Sequence, residues 1–514
     1  MEKLGLRNGG CEGRVHVVAV PYPAQGHIAP MMELCRQMAT TGGFLVTVVN
    51  TEHIHARMLR AGSHVVDKEG EWGSTSSSNL RLVSMPGGLP PELHEVADHV
   101  VAALHASEAL APTFHRLLCH LNRLGPRVTH ILSDVMMSWT QLSAEALSIP
   151  RLAFWVSSAS LYFAIYHLFD ILLTRGFPSF KAIIKEMGEE TGSVVGWIPG
   201  LPPISIDDLP TVIQSDEANP IYQFLMRQLK PLQRATCVVM NTLYELEEEA
   251  LMGLKATRSP PIVAIGPLLP IKEVSNPPTH SGHPRLGGTI FNEDNGCLQW
   301  LHYQAPNSVL YISFGSLARM HESQFKELAA GLEASGTPFL WSIRPDFVDG
   351  GSYVHMLPPS FLERTRERGL LISWVPQVDV LSHPSIGGFL THCGWNSILE
   401  SVCMGIPILC WWADPGERRT NGLVATTKWG LGLDFGTKNT NILSKEEVSS
   451  LIKQFMGDSP TSCALRLKAK ALRDIALLSL CPTTSRRSRA MSQLISHMSS
   501  HSKGPFLLND KKSR

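Results

Sequence analysis

The chain is predicted to be an α/β protein of two domains, each built around its own parallel sheet, and three observations carry that prediction. Each half of the sequence repeats short apolar runs followed by amphipathic stretches with helical spacing, the alternation that gives parallel sheets covered by helices. At 514 residues the chain is too long for one ordinary core, and its 44% hydrophobic content is ample for two. Between the halves lies Ser275 to Gly288, SNPPTHSGHPRLGG, whose proline, glycine and serine content reads as a linker. The resulting division is a first domain over 1–270, a linker over 271–290, a second domain over 291–482, a terminal helix over 483–500 and a loose basic tail over 501–514.

Composition excludes several function classes. The 45 basic and 45 acidic residues cancel and are interspersed, so there is no electrostatic footprint for nucleic acid or a charged membrane surface. The 10 cysteines are scattered without a CxxC pair, which points to reduced thiols and a cytoplasmic setting. Cys393 and Cys403 read as small apolar packing residues. The amino terminus, MEKLGLRNGGCEGR, lacks the apolar core of a secretory signal. The most apolar long segment, Leu152 to Leu173, is interrupted by Ser157, Ser158, Ser160, His167 and Asp170, so it reads as a buried or site-lining helix with no stable membrane insertion. The first strand-to-helix turn has no GxGxxG, and the chain has neither a GxxxxGK[ST] loop nor an Asp-x-Asp pair. Neither a dinucleotide, ATP nor a metal ion is expected.

Taken in order, the first strand is VHVVAVPY, starting near Val15 and leading through Pro23-Ala24-Gln25-Gly26-His27 to a helix opening near Pro30. His27 thus sits at the carboxyl end of a strand, where a neutral imidazole can take a proton from a hydroxyl. A second predicted strand, Val128 to Leu132, is followed by Ser133 and Asp134. Asp134 suits either a helix N-cap or a partner for the second nitrogen of a histidine base. In the other half, the strand VLYI is followed by the loop SFGS, which contains Ser316. Further on, the apolar run Ile386 to Thr391, a helix from about Asn396 and a strand from Pro407 to Trp412 form a βαβ unit. His392, Gly394, Asn396 and Ser397 stand at its first junction, where a helix start offers unpaired N–H groups to an anion. Ser397 to Glu400 also reads as a capping box, an alternative use of the same residues.

The stretch Trp374 to Glu417, WVPQVDVLSHPSIGGFLTHCGWNSILESVCMGIPILCWWADPGE, resembles the signature box of plant UDP-dependent glycosyltransferases. The strings PAQGHIxP around His27, SDxxxxWTQ and IPRLAFW around Asp134, and further on IPGLPP, NTLYELE and IGPL extend the resemblance over nearly the whole chain. The last three carry no obvious chemistry, and their prolines and glycines read as turns. The resemblance implies the GT-B arrangement, two Rossmann-like domains with parallel sheets facing across a cleft, with the terminal helix crossing back to the first domain. It also implies a UDP-sugar donor: Trp374 stacks on uracil, Gln377 and Glu400 meet the ribose, and His392, Asn396 and Ser397 hold the diphosphate. Ser316, Val375, Gly394, Trp395, Glu417 and Arg418 complete the implied donor site. His27 becomes the general base and Asp134 its partner, in an inverting transfer, without metal, to a hydroxyl of a small lipophilic plant metabolite; the expected state is a monomer. Acceptor walls are placed at Ser74 to Ser78 and Met137 to Leu173.

The sequence departs from the family pattern where the sugar is read. Aligned back from Thr420-Asn421, Glu417 takes the usual acidic place, Arg418 stands where glutamine is usual, and the loop from Trp412 holds about one extra residue. An arginine offers donors only and a fixed charge. Glucose is the leading donor sugar; glucuronate or a pentose, or a UDP-sugar-binding protein without transfer, are the alternatives. Val156, where many relatives carry threonine, is a second departure.

Overall fold

A computed structural model of the 514-residue chain describes residues 14–41, 43–61, 79–86, 108–188, 194–269, 288–411, 417–436 and 442–500. The segment before Arg14, Ser74 to Ser78, the linker through residue 287, Trp412 to Gly416 and the 501–514 tail lie outside the described residues.

Strands β1 (Val15–Val20), β2 (Phe44–Thr51), β3 (Leu80–Met85), β4 (His130–Asp134) and β5 (Arg151–Trp155) precede a small hairpin of β6 (Val194–Val195) and β7 (Ile204–Ser205), then β8 (Cys237–Met240) and β9 (Ile262–Ala264). Apart from the hairpin these form one sheet in the order β3, β2, β1, β4, β5, β8, β9, parallel throughout. The second sheet contains β10 (Val309–Ser313), β11 (Phe339–Ser342), β12 (Gly369–Ile372), β13 (Ile386–Thr391), β14 (Ile408–Cys410) and β15 (Gly432–Asp434). Its order is β12, β11, β10, β13, β14, β15, also parallel. Strands such as VHVVAV are buried at every position, as apolar runs covered by helices on both faces must be.

The strand orders locate the sites. In an open parallel sheet, ligands bind beyond the carboxyl ends of strands where the order reverses. In the first sheet that point lies between β1 and β4, which end just before His27 and at Asp134. In the second it lies between β10 and β13, which register Ser313 against Thr391 and so bring the SFGS loop beside His392.

Two sequence expectations change. Leu152 to Leu173 is not one helix: its start belongs to β5, and the helix Ala159–Arg175 begins after the turn at Val156 to Ser158. Residues 151–155 alternate across a fully buried sheet, which a hydropathy reading cannot separate from a buried helix. The helix after β1 opens at Gln25, not near Pro30, and encloses Pro30. A proline is favourable at a helix start but is tolerated further in when the carbonyl it would have capped finds another donor.

One continuous buried apolar cluster runs from the helix Ala159–Arg175 through Trp155, Met240 and Leu251 to Trp395, Trp429 and Phe389, so the two domains share a core behind the cleft. The helix Arg486–Ser499 packs Leu494 and Met498 into the apolar cluster of β1 and β2. Its Arg487 donates to the carbonyl of Ile265 and to Oε1 of Gln37, both at 2.9 Å.

Candidate active site

Because the helix opens at Gln25, His27 lies in its first turn and its ring is carried toward the end of β4. Its Nδ1 donates to Oδ2 of Asp134 at 2.7 Å. The other carboxylate oxygen accepts the N–H of Met136 at 2.9 Å and caps the short turn after β4. Asp134 therefore serves as both the N-cap and the histidine partner that its position allowed. The carboxylate is fully buried, while the His27 side chain keeps 26% exposure. With Nδ1 held as the donor, the lone pair of a neutral ring stands on Nε2. Burial opposes the protonated ring, but the charge and hydrogen bond of Asp134, aided by the carboxylate of Glu417, outweigh it and raise the pKa above the usual 6.5. Arg151 lies beneath the pair, buried, donating to Ser133 Oγ at 2.7 Å, Thr140 Oγ1 at 3.0 Å and the carbonyl of Asp134 at 3.4 Å. Burial pulls this arginine down to about 10, against the pull of Asp134.

On the facing side, His392 is held between two glycines. A Cβ on Gly315 would lie 2.6 Å from its Cε1 and Nε2, and one on Gly394 would lie 2.7 Å from Nε2. The sequence assigned Gly394 to backbone approach by an anion; the space is needed first by the histidine ring. Cys393, between them, adopts φ 63°, a strained setting for a residue with a side chain and one that accumulates at functional loops. Nδ1 of His392 is buried without a hydrogen-bond partner among the described residues. Burial, then the charges of Arg418 and Arg344, hold the ring well below its ordinary pKa, so it stays neutral at cellular pH. Ser316 stands in the turn after β10, partly exposed, beside Gly315. Arg344 ties that turn down through its carbonyls, donating to Gly315 and, at 2.9 Å, to Ala318. Gly315→Ala is expected to cost about 1–3 kcal/mol of stability, from its φ of +70° and the forced shift of His392. If the ring meets the diphosphate, as the family resemblance implies, UDP binding weakens with it; thermal unfolding with and without UDP reads both effects, and an unchanged response to UDP would contradict that role.

Trp374 is half-buried and stacks on Phe291, with centroids 4.1 Å apart and planes at 22°. The guanidinium of Arg57 lies over the Phe291 ring, 4.8 Å from its centre, so a first-domain helix contacts the ring that stacks on Trp374. One face of Trp374 is thereby taken by Phe291. Gln377 accepts from Tyr311 at 2.9 Å and turns its amide nitrogen to Ser397 Oγ at 3.0 Å and Glu400 Oε2 at 2.5 Å. The capping box is absent: the helix Trp395–Met404 starts at Gly394 with no side-chain cap, and Ser397 and Glu400 meet Gln377 instead. Val375 is buried. The indole of Trp395 is buried and donates to the carbonyl of Asn241 at 2.7 Å.

Similarity to known sequences extends over most of the chain. Residues 286–467 match the family profile described as UDP-glucoronosyl and UDP-glucosyl transferase, and residues 13–174 match that of the glycosyltransferase N-terminal domain. UDP-glycosyltransferase 85A7 of Arabidopsis thaliana is 38% identical over 90% of this chain and 92% of its own length. The chain belongs to the plant UDP-glycosyltransferases. A (R)-mandelonitrile beta-glucosyltransferase of Prunus dulcis is 37% identical over 88% of this chain and 91% of its own. The structure of Phytolacca americana UGT2 complexed with UDP-2fluoro-glucose and pterostilbene, 25% identical, covers 94% of this chain and 100% of its own with a TM-score of 0.74. The two facing sheets are thus the GT-B fold of these transferases.

The transferase departs from its family in the loop leading to the helix Glu417–Leu423. Glu417 is exposed, and its carboxylate acts on His27 across the cleft. Arg418 is half-buried, and its charge adds to the burial that lowers the pKa of His392 and of Arg344. Arg419 is buried and paired with Asp208 of the first domain. Asn421 accepts from Ser158 Oγ at 2.7 Å and donates to Ser157 Oγ at 3.2 Å, locking this helix to the turn after Val156. That turn opens the helix Ala159–Arg175, whose first N–H groups, those of Ala159 and Ser160, are held by the buried carboxylate of Glu247 at 2.7 and 2.9 Å. Glu247, Arg151, Asn421 and Asn241 were not singled out as site residues from sequence. Each sits inside a string that matched the family, which was the available signal.

Proposed function

We propose that this transferase moves the sugar of a UDP-sugar, glucose first, onto a hydroxyl of a small lipophilic plant metabolite in a single displacement. The observation that carries this reading is the 2.7 Å bond from His27 Nδ1 to Asp134 at the first sheet's reversal point, with the His392 cradle at the second's. His27 Nε2 takes the acceptor proton as the oxygen attacks the anomeric carbon, and Asp134 stabilises the imidazolium that forms. The bond to UDP breaks on the opposite face, so an α-linked donor gives a β-glycoside. Charge on the departing diphosphate falls to the His392 loop, the start of the helix Trp395–Met404 and Ser316. The Prunus dulcis relative's name, a beta-glucosyltransferase, supports both the sugar and the configuration.

The charge of Arg418 acts on both His392 and Arg344, which supports a role at the diphosphate over the reading of a sugar carboxylate. Arg418→Gln is therefore expected to slow transfer from UDP-glucose by about tenfold, the scale of one charge-assisted contact, without creating a new sugar preference. The check is mass-spectrometric product detection from UDP-glucose, UDP-glucuronate and UDP-xylose with a mixed phenolic and terpenoid acceptor library, wild type beside Arg418→Gln. Wild-type transfer from UDP-glucuronate alone, switching to UDP-glucose in the variant, would assign Arg418 to the sugar. UDP binding without product from any donor would favour a binding protein.

A further inference from the structure

We infer that Asn241 is a positioning residue, one that fixes the orientation of the Asn396 amide and couples it to the loop carrying His27. The proposal rests, for its functional meaning, on the UDP-sugar transfer reading above. Asn241 follows β8, is buried, and belongs to none of the groups that would touch a reactant. Its Oδ1 accepts the N–H of Leu268 at 2.9 Å, and its Nδ2 donates to Oδ1 of Asn396 at 3.2 Å. Nδ2 of Asn396 donates in turn to the carbonyl of Gly26, the residue before His27, at 2.7 Å.

The direction of this chain is set at both ends. A backbone N–H can only donate and a backbone carbonyl can only accept, so neither asparagine can flip without placing two like groups face to face. Gly26 has a carbonyl to offer because of Pro30. The helical donor to residue 26 would be the N–H of residue 30, and proline has none. The proline inside the helix Gln25–Ala39 thus releases an acceptor that Asn396 of the other domain takes up. Asn241 also accepts the Trp395 indole N–H on its main-chain carbonyl at 2.7 Å, fastening the residue next to Asn396. The backbone closes tightly around it, since a Cβ on Gly266 would lie 2.4 Å from the N of Thr242 and 2.8 Å from Oδ1 of Asn241. With Oδ1 of Asn396 occupied and one N–H spent on Gly26, its second N–H is what remains for an anion at the helix start.

The test is a double-mutant cycle of Asn241→Ala and, separately, Pro30→Ala, each in the wild-type and Asn396→Ala backgrounds, read by calorimetric UDP affinity and by thermal unfolding. Asn241→Ala is expected to weaken UDP about tenfold when Asn396 is present and less than about twofold when it is absent, a coupling typical of residues in one hydrogen-bond network. Pro30→Ala, which returns an N–H to compete for Gly26, should weaken UDP about threefold and likewise lose its effect in the Asn396→Ala background. A readout that a merely structural role would not move is the split in transfer kinetics: donor KM rises while the acid limb set by His27 stays in place. Equal effects in both backgrounds, in affinity and in melting temperature, would overturn the assignment. If wild type does not bind UDP, the transferase reading fails, and the melting-temperature cycle still decides whether Asn241 acts through Asn396.

Discussion

His27→Ala is expected to lower kcat/KM by about 10³-fold, the middle of the range for a positioned general base, and to leave UDP affinity within about twofold. The geometry supports the role that the family resemblance implies for this residue: the reversal between β1 and β4 places it at the sheet's crevice, and Nδ1 is tied to a buried carboxylate 2.7 Å away. The pH profile follows from the direction of its shift. A pKa raised above 6.5 means that the ring is protonated further up the scale, so the base form, and transfer with it, is lost as pH falls through a midpoint above 6.5. His27→Ala should abolish that limb and leave a low, flat rate. Retention of the limb in the variant would assign it to another group.

Asp134→Asn is expected to be nearly as damaging, about 10²–10³-fold in kcat/KM, for a different reason. An amide can donate its N–H to Nδ1 of His27, which moves the ring proton to Nε2 and turns the base into a donor. Loss of the Asp134 charge also removes the largest influence raising the His27 pKa and leaves burial, which lowers it. The residual activity should therefore show its acid limb at lower pH than wild type. The carboxylate's second oxygen caps Met136, and Arg151 lies beneath, so unfolding must be measured alongside. A stable variant with wild-type rate and an unmoved limb would remove Asp134 from the mechanism.

Much of this site was legible because its chemistry sits on short, local signals. VHVVAV and IGGFLT are continuous apolar runs, which strands buried on both faces require, and the residues after them stand at strand ends whatever the tertiary detail. The helix start was misplaced by five residues because Pro30 looks like a first-turn proline; only the Asn396 donor, 370 residues away from Gly26, explains why it is tolerated inside. The Ser397 to Glu400 string could not be settled locally, since the group that decides it, Gln377, lies 20 and 23 residues upstream. Asn241 sits in a string to which the sequence assigned no chemistry, and its partners are 27 and 155 residues distant. Arg419, the neighbour of the residue flagged as unusual, is the one buried against the first domain, which spacing along one loop does not reveal.

The most direct test of the central claim is proton NMR of the reaction of UDP-glucose with an acceptor alcohol identified from the library, followed from the first turnovers. Stoichiometric appearance of UDP and a glycoside of β configuration, absent in His27→Ala, is the predicted result. An α-configured product would contradict single displacement by a His27-activated hydroxyl, and UDP released without any glycoside would contradict transfer itself.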